Sequence, residues 1–169
     1  ALVAFIALRR ARTQVFPPGT RKEVDFLMKR HYADNLTNYF RLSEYVHSVD
    51  LPLEAGRGNV VRGDSKKTTI VTAGPMLDDV LKATEGLDVN VLYFHTIKPF
   101  DQELVSRFAR TKLKVVHDSF GLFEAVCEVA GRSVEKLVPR NFADSYGKIH
   151  DVRKSVGLGI DDIRAFACA

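Results

Sequence analysis

Cysteine is scarce in this 169-residue chain, which has only Cys127 and Cys168. Two thiols build neither a disulfide framework nor a zinc site. Cys127 falls on the apolar side of a predicted helix, where it reads as a small core residue. Cys168 stands next to the last residue and reads as an exposed thiol. This usage fits a reducing compartment, and the expected location is the cytoplasm. Long apolar runs are also missing. The opening ALVAFIAL is followed, not preceded, by Arg9, Arg10 and Arg12. It is too short for a membrane span and ordered wrongly for a signal peptide, so no membrane partner is expected. With no initiator Met and an abrupt amphipathic start, the sequence reads as a fragment whose upstream part lies elsewhere. Acidic charge is thin at the start: the net charge is +5 through Arg30 and −1 over the rest. No aromatic-interleaved basic motif accompanies that excess, so it reads as a solvated helix face and nucleic acid is not an expected partner. Internal repeats and low-complexity runs are absent.

What is present is strongest in Thr68–Asp101. Thr68–Thr72 is a β-branched run suited to a strand covered on both faces. Gly74 allows a tight turn, and Pro75 suits a first helical position. Met76, Leu77, Val80 and Leu81 recur at helical spacing, with Asp78 and Asp79 at the positive end of the helix dipole. Gly86 marks the stop, and Val89–Phe94 is a second buried strand. Lys98 is biased to extended geometry by Pro99, and Asp101 caps the next helix. This is a βαβ unit.

The TAGPM turn, the HTIKPFD exit and the later LKVVHDSFGLFEAVCEVAG resemble the C-terminal domain shared by transketolases, deoxyxylulose-phosphate synthases and the beta subunits of 2-oxoacid dehydrogenases. The resemblance runs from about Thr13 to the end. It implies an α/β fold: a three-layer, mainly parallel sheet with helices on both faces, preceded by a partial α/β domain. VFPPGTRKEVDFLM and NYFRLSE resemble the closing portion of the family's pyrimidine-binding domain. The implied division is residues 1–50 as that remnant, 51–67 as linker, and 68–169 as the C-terminal domain.

Along the chain, Leu2–Arg10 reads as a helix end and Thr13–Phe16 as a strand. Thr20 caps a helix to about Tyr32, with Val24, Leu27 and Met28 inward and Glu23 in the first turn. Asn38–Leu42 is another strand. Val46–Lys67 is polar, with Gly56, Gly58 and Gly63, and reads as a surface linker. Its GRGNVV lacks the third glycine of a dinucleotide fingerprint, and its RGD reads as a turn. Beyond Asp101 the pattern gives helices at Asp101–Arg110, after Gly121, at Asp151–Val156 and at Asp161–Ala167. Strands fall at Leu113–Val116 and Val134–Val138, with a loop at Phe142–Gly147.

The resemblance implies a complete enzyme that uses thiamine diphosphate and Mg2+ to process keto sugar phosphates or 2-oxo acids through a carbanion. The Gly-Asp-Gly signature that holds the metal is absent, and the glutamate that activates the cofactor would precede Ala1. No catalytic, cofactor-binding or metal residue is therefore assigned, and this chain alone is expected to hold no cofactor and to be inactive. Arg41 is the candidate for a substrate phosphate, since guanidinium suits it, and His47 could reach the same cleft or stand solvated. Glu44 occupies the place of a family arginine, which favours a 2-oxoacid dehydrogenase beta subunit as the alternative. His95, Lys98, Asp101, His117 and Asp118 are expected near the carboxyl ends of adjacent strands, either as a ligand crevice or, preferably, as an interface cluster. His31 and His150 have no partner at informative spacing. The expected partners are the missing N-terminal region or a separate subunit, in a homodimer or heterotetramer. A non-catalytic α/β binding or scaffolding domain is the alternative of another class.

Overall fold

A computed structural model describes residues 13–131, 133–141, 143 and 147–169. The expected helix end at Leu2–Arg10 and most of the Phe142–Gly147 loop lie outside these residues.

The larger of two sheets has five strands in the order β3-β5-β4-β6-β7. These are β3 (Asn59–Arg62), β4 (Thr68–Ala73), β5 (Val89–Phe94), β6 (Lys112–Val116) and β7 (Glu135–Leu137). All pairs are parallel except β3, which runs antiparallel to β5. Alternation along the strands divides the core in two. Ile70, Val91, Tyr93 and Val116 face one side, while Val71, Leu92, Phe94 and Val115 face the other. On the first side lie α2 (Leu77–Ala83) and α6 (Ile160–Cys168), and α5 (Ile149–Ser155) is tied to α2 by the Arg153–Asp79 ion pair. On the second lie α3 (Gln102–Arg107) and α4 (Leu122–Ala130). The fold is thus α/β, a mainly parallel sheet between helical layers.

The central unit forms as its residues dictate. Gly74 takes φ +60 at the end of β4 and begins a short 3-10 turn, Gly74–Met76, that leads into α2. Asp101 accepts from the Leu104 amide, which fixes the start of α3. Gly131 ends α4 at φ 59.

The stretch 51–67, which reads as linker, is partly sheet. Four residues of it form β3, whose half-buried pattern is too short to show periodicity. Gly58, just before it, lies so close to the Phe94 ring and Leu104 that a Cβ would meet them at 2.5 and 2.8 Å.

The N-terminal segment forms β1 (Thr13–Phe16), α1 (Arg21–His31) and β2 (Thr37–Phe40). β1 and β2 pair in parallel as a separate two-stranded sheet. Thr20 caps α1 by accepting from the Glu23 amide. The inward face of α1 differs from the apolar spacing: Leu27 and Glu23 are buried and Met28 is 42% exposed. The carboxylate goes inward because buried partners await it.

Candidate functional site

Polar residues concentrate where the N-terminal βαβ segment meets the carboxyl ends of β4, β5 and β6. β1 is held against the main domain by a backbone bridge: Val15 donates to the Lys98 carbonyl at 2.9 Å and accepts from Ile97 at 2.9 Å. The turn after β1 then brings Gly19 beside His47, Tyr93 and Gly74.

Glu23 is the hub of this contact. Its Oε2 accepts from the Gly19 amide at 2.6 Å and from the Tyr93 hydroxyl at 2.7 Å. Its Oε1 faces His47 Nε2 at 3.2 Å. Burial works to raise the Glu23 carboxyl, but the hydrogen bonds of His47, Gly19 and Tyr93 outweigh it and hold the group below its ordinary value. Burial, with the Glu23 charge, pushes the Tyr93 phenol well above its own, so it remains a donor.

His47 is therefore not a solvated histidine. It is 3% exposed, turned to Glu23 and packed edge-on to Tyr93. A buried carboxylate needs a donor, and His47 Nε2 is placed to be one.

Arg41 follows β2 and pairs with Asp118 at 2.9 Å. Asp118 is also 3.6 Å from Arg153, which in turn contacts Asp79 at 2.6 Å. Both histidines do have partners: His150 approaches the sequence-distant Asp79 at 3.6 Å, and His31 approaches Asp34, three residues on, at 2.8 Å. Glu44 is exposed. Burial works to raise the Asp118 carboxyl, and the charges around it, that of His117 once protonated in acid and those of Arg41 and Arg153, bring it below its ordinary value. His117, 4.0 Å from Asp118 and 1% exposed, is pulled down to about 4 by burial and stays neutral near pH 7.

Of the five residues placed at the strand ends, His117 and Asp118 meet. His95 is fully buried, bonded through Nδ1 to Thr96 Oγ1 and edge-on to Phe26, and burial lowers its pKa. Asp101 serves the N-terminus of α3 and also accepts from the Gly58 amide and Arg57. Lys98 contributes its backbone to β1.

Sequence reasoning misses Glu23, Tyr93, Asp79 and Arg153 as site residues. For Glu23 a signal is present: a carboxylate three residues after Thr20 is a capping pattern, but here it accepts from Gly19.

Among the described residues no group of three or more His, Cys, Asp or Glu could hold a metal ion. No helix among the described residues is long and apolar enough to cross a membrane.

A mainly parallel sheet covered by helices on both faces, with polar strand ends engaged by a preceding βαβ segment, defines a three-layer α/β domain. The sequence model of the family "Transketolase, C-terminal domain" matches residues 56–141, and the chain belongs to that family. It is 34% identical over 98 residues to a 1-deoxy-D-xylulose-5-phosphate synthase of Aeromonas hydrophila, covering 57% of this chain and 15% of that protein. Among solved structures it is similar to a split-gene transketolase described as an inactive β4 tetramer. That likeness has TM-score 0.76 and 26% identity, over 96% of this chain and 58% of the other. The transketolase of Campylobacter jejuni shares the fold, with TM-score 0.70 and 17% identity over 98% of this chain and 27% of its own. The chain thus spans about a seventh of that curated relative and somewhat over half of the split-gene chain.

Proposed function

We propose that this chain is the assembly-directing part of a transketolase-like, thiamine-diphosphate-dependent enzyme. In this reading the segment through residue 50 closes a pyrimidine-binding domain whose other strands come from the rest of the protein or from a companion subunit. The C-terminal domain begins with β3 and serves assembly in a dimer or heterotetramer. The cofactor, its magnesium and the activating glutamate belong to that remainder. When bound, the cofactor would supply the carbanion chemistry, while residues of this chain fix the geometry of the joint.

The observation that carries this is the two-stranded β1–β2 sheet. Among the described residues β2 has no strand on its outer edge. Tyr39, Leu42, Tyr45 and Val46 are exposed on or just after it. An open edge beside apolar surface calls for pairing. The split-gene neighbour, inactive as a β4 tetramer, supports a chain that needs a companion.

The substrate is a keto sugar phosphate or a 2-oxo acid. The pairing of Arg41 with Asp118 and the exposed Glu44 favour the 2-oxo acid, since both reduce the positive charge open to a phosphate.

The test is to reconstitute the chain with its upstream or companion polypeptide. Calorimetry with thiamine diphosphate and Mg2+ should show saturable binding for the complex and none for this chain alone. Saturable binding by the isolated chain would overturn the reading.

A further inference from the structure

A recess adjoins the charged chain of the joint through Asp118 and Arg153, at the carboxyl ends of β6 and β7, where open parallel sheets form ligand crevices. Its volume is about 840 Å³, within the range of small-molecule sites. One wall is apolar and aromatic, made by Phe120, Phe123, Val152 and Leu158. Phe120 is 56% exposed, an aromatic ring standing uncovered at this recess.

Opposite charges meet here unequally. The lining cations are Lys136, Arg140 and Arg153, and the lining anions are Asp118 and Glu124. Glu124 is spent on the Gly121 amide at the start of α4, and Asp118 lies between Arg41, outside the recess, and Arg153. Lys136 lies over the Phe123 ring, 4.4 Å from its centroid. Among the described residues Arg140 forms no ion pair, and its backbone amide is anchored to the Val156 carbonyl at 3.0 Å. Arg153, only 5% exposed, gives Nη1 to Asp79 and holds Asp118 at ion-pair distance, 3.6 Å from Nη2, yet neither Nε nor Nη2 makes a hydrogen bond. A buried guanidinium with two nitrogens that make no hydrogen bond has donors left for a further oxygen acceptor.

We infer that this recess binds a small organic anion: a phosphate or carboxylate held by Arg140 and Arg153, on an aromatic or other apolar body resting against Phe120 and Phe123. The inference does not depend on the partner-chain reading.

Naphthyl phosphate is a suitable probe, with naphthol and inorganic phosphate as its two halves. Titration of the full chain, followed by calorimetry or by NMR shifts, should saturate with naphthyl phosphate and be far weaker with either half. Arg140→Gln should weaken naphthyl phosphate about tenfold or more, the value of a charge-assisted contact. Phe120→Ala, at an exposed position, should weaken it several-fold, and neither variant should shift the melting temperature appreciably. Equal binding by naphthol would reduce the recess to an apolar patch, and equal binding by phosphate to a bare charge. Either result overturns the inference, as would affinity unchanged in both variants or no saturation by naphthyl phosphate. If Arg140→Gln fails to fold, the Phe120→Ala arm decides alone.

Discussion

The Tyr93 hydroxyl donates to the Glu23 carboxylate at 2.7 Å, joining residues 70 positions apart across the joint between the N-terminal segment and the main sheet. Both are buried, so neither can exchange this partner for water. Tyr93→Phe should cost about 1–3 kcal/mol in urea denaturation. Glu23→Ala should cost more, because it strands His47, Tyr93 and the Gly19 amide together. Because the folded Glu23 pKa lies below its ordinary value, its stabilisation is present above the unfolded value, 4.5, and is lost as pH falls below it. Glu23→Gln should flatten that acid limb.

Arg153→Met should destabilise by about 3–5 kcal/mol, since Asp79 and Asp118 would lose a cation inside the protein. The double change Arg153→Met with Asp79→Leu should recover part of the loss. Chemical denaturation of wild type, the single variants and the double variant measures the coupling, and additive losses would contradict the pairing.

His117 gives a second pH dependence with its own window. Its folded pKa of about 4 lies below the ordinary 6.5, so the folded state resists a proton that the unfolded chain accepts. Stability is full above 6.5 and declines towards pH 4, by about 3 kcal/mol over the window. His117→Gln should remove most of that slope. An unchanged profile would place the dependence elsewhere.

Much of the fold is legible in the sequence because buried parallel strands and glycine turns leave local marks. The runs Thr68–Thr72 and Val89–Phe94 match β4 and β5 almost to the residue, and Asp101 is the cap its position suggests. β3 escapes because four half-buried residues on an edge carry no period. Glu23 looks like a surface cap because its buried partners, His47 and Tyr93, come from distant segments. The charged chain Arg41–Asp118–Arg153–Asp79 is hidden for the same reason, since each contact is long-range. Local pattern reports a strand's burial, and it is silent about which charges meet.

Lys114 is a further case of a hidden partner. It lies within β6, fully buried, on the face turned to α6, and its Nζ donates to the Phe166 carbonyl at 2.6 Å. The same Nζ stands 5.0 Å from the centroid of the Phe166 ring. A cation at the last turn of a helix satisfies its free carbonyls and suits its dipole. Lys114→Met should cost about 1–2 kcal/mol and speed amide exchange in the last turn of α6. Unaltered exchange there would show that α6 docks by its apolar face alone.

The backbone bridge between Val15 and Ile97–Lys98 gives the small sheet a direction of growth. β1 is already occupied on both sides, by β2 and by that loop. Any strand added to it must therefore line up beyond Thr37–Phe40, outward from the main domain. The small sheet is extensible at one end, and a newcomer's register is dictated by β2.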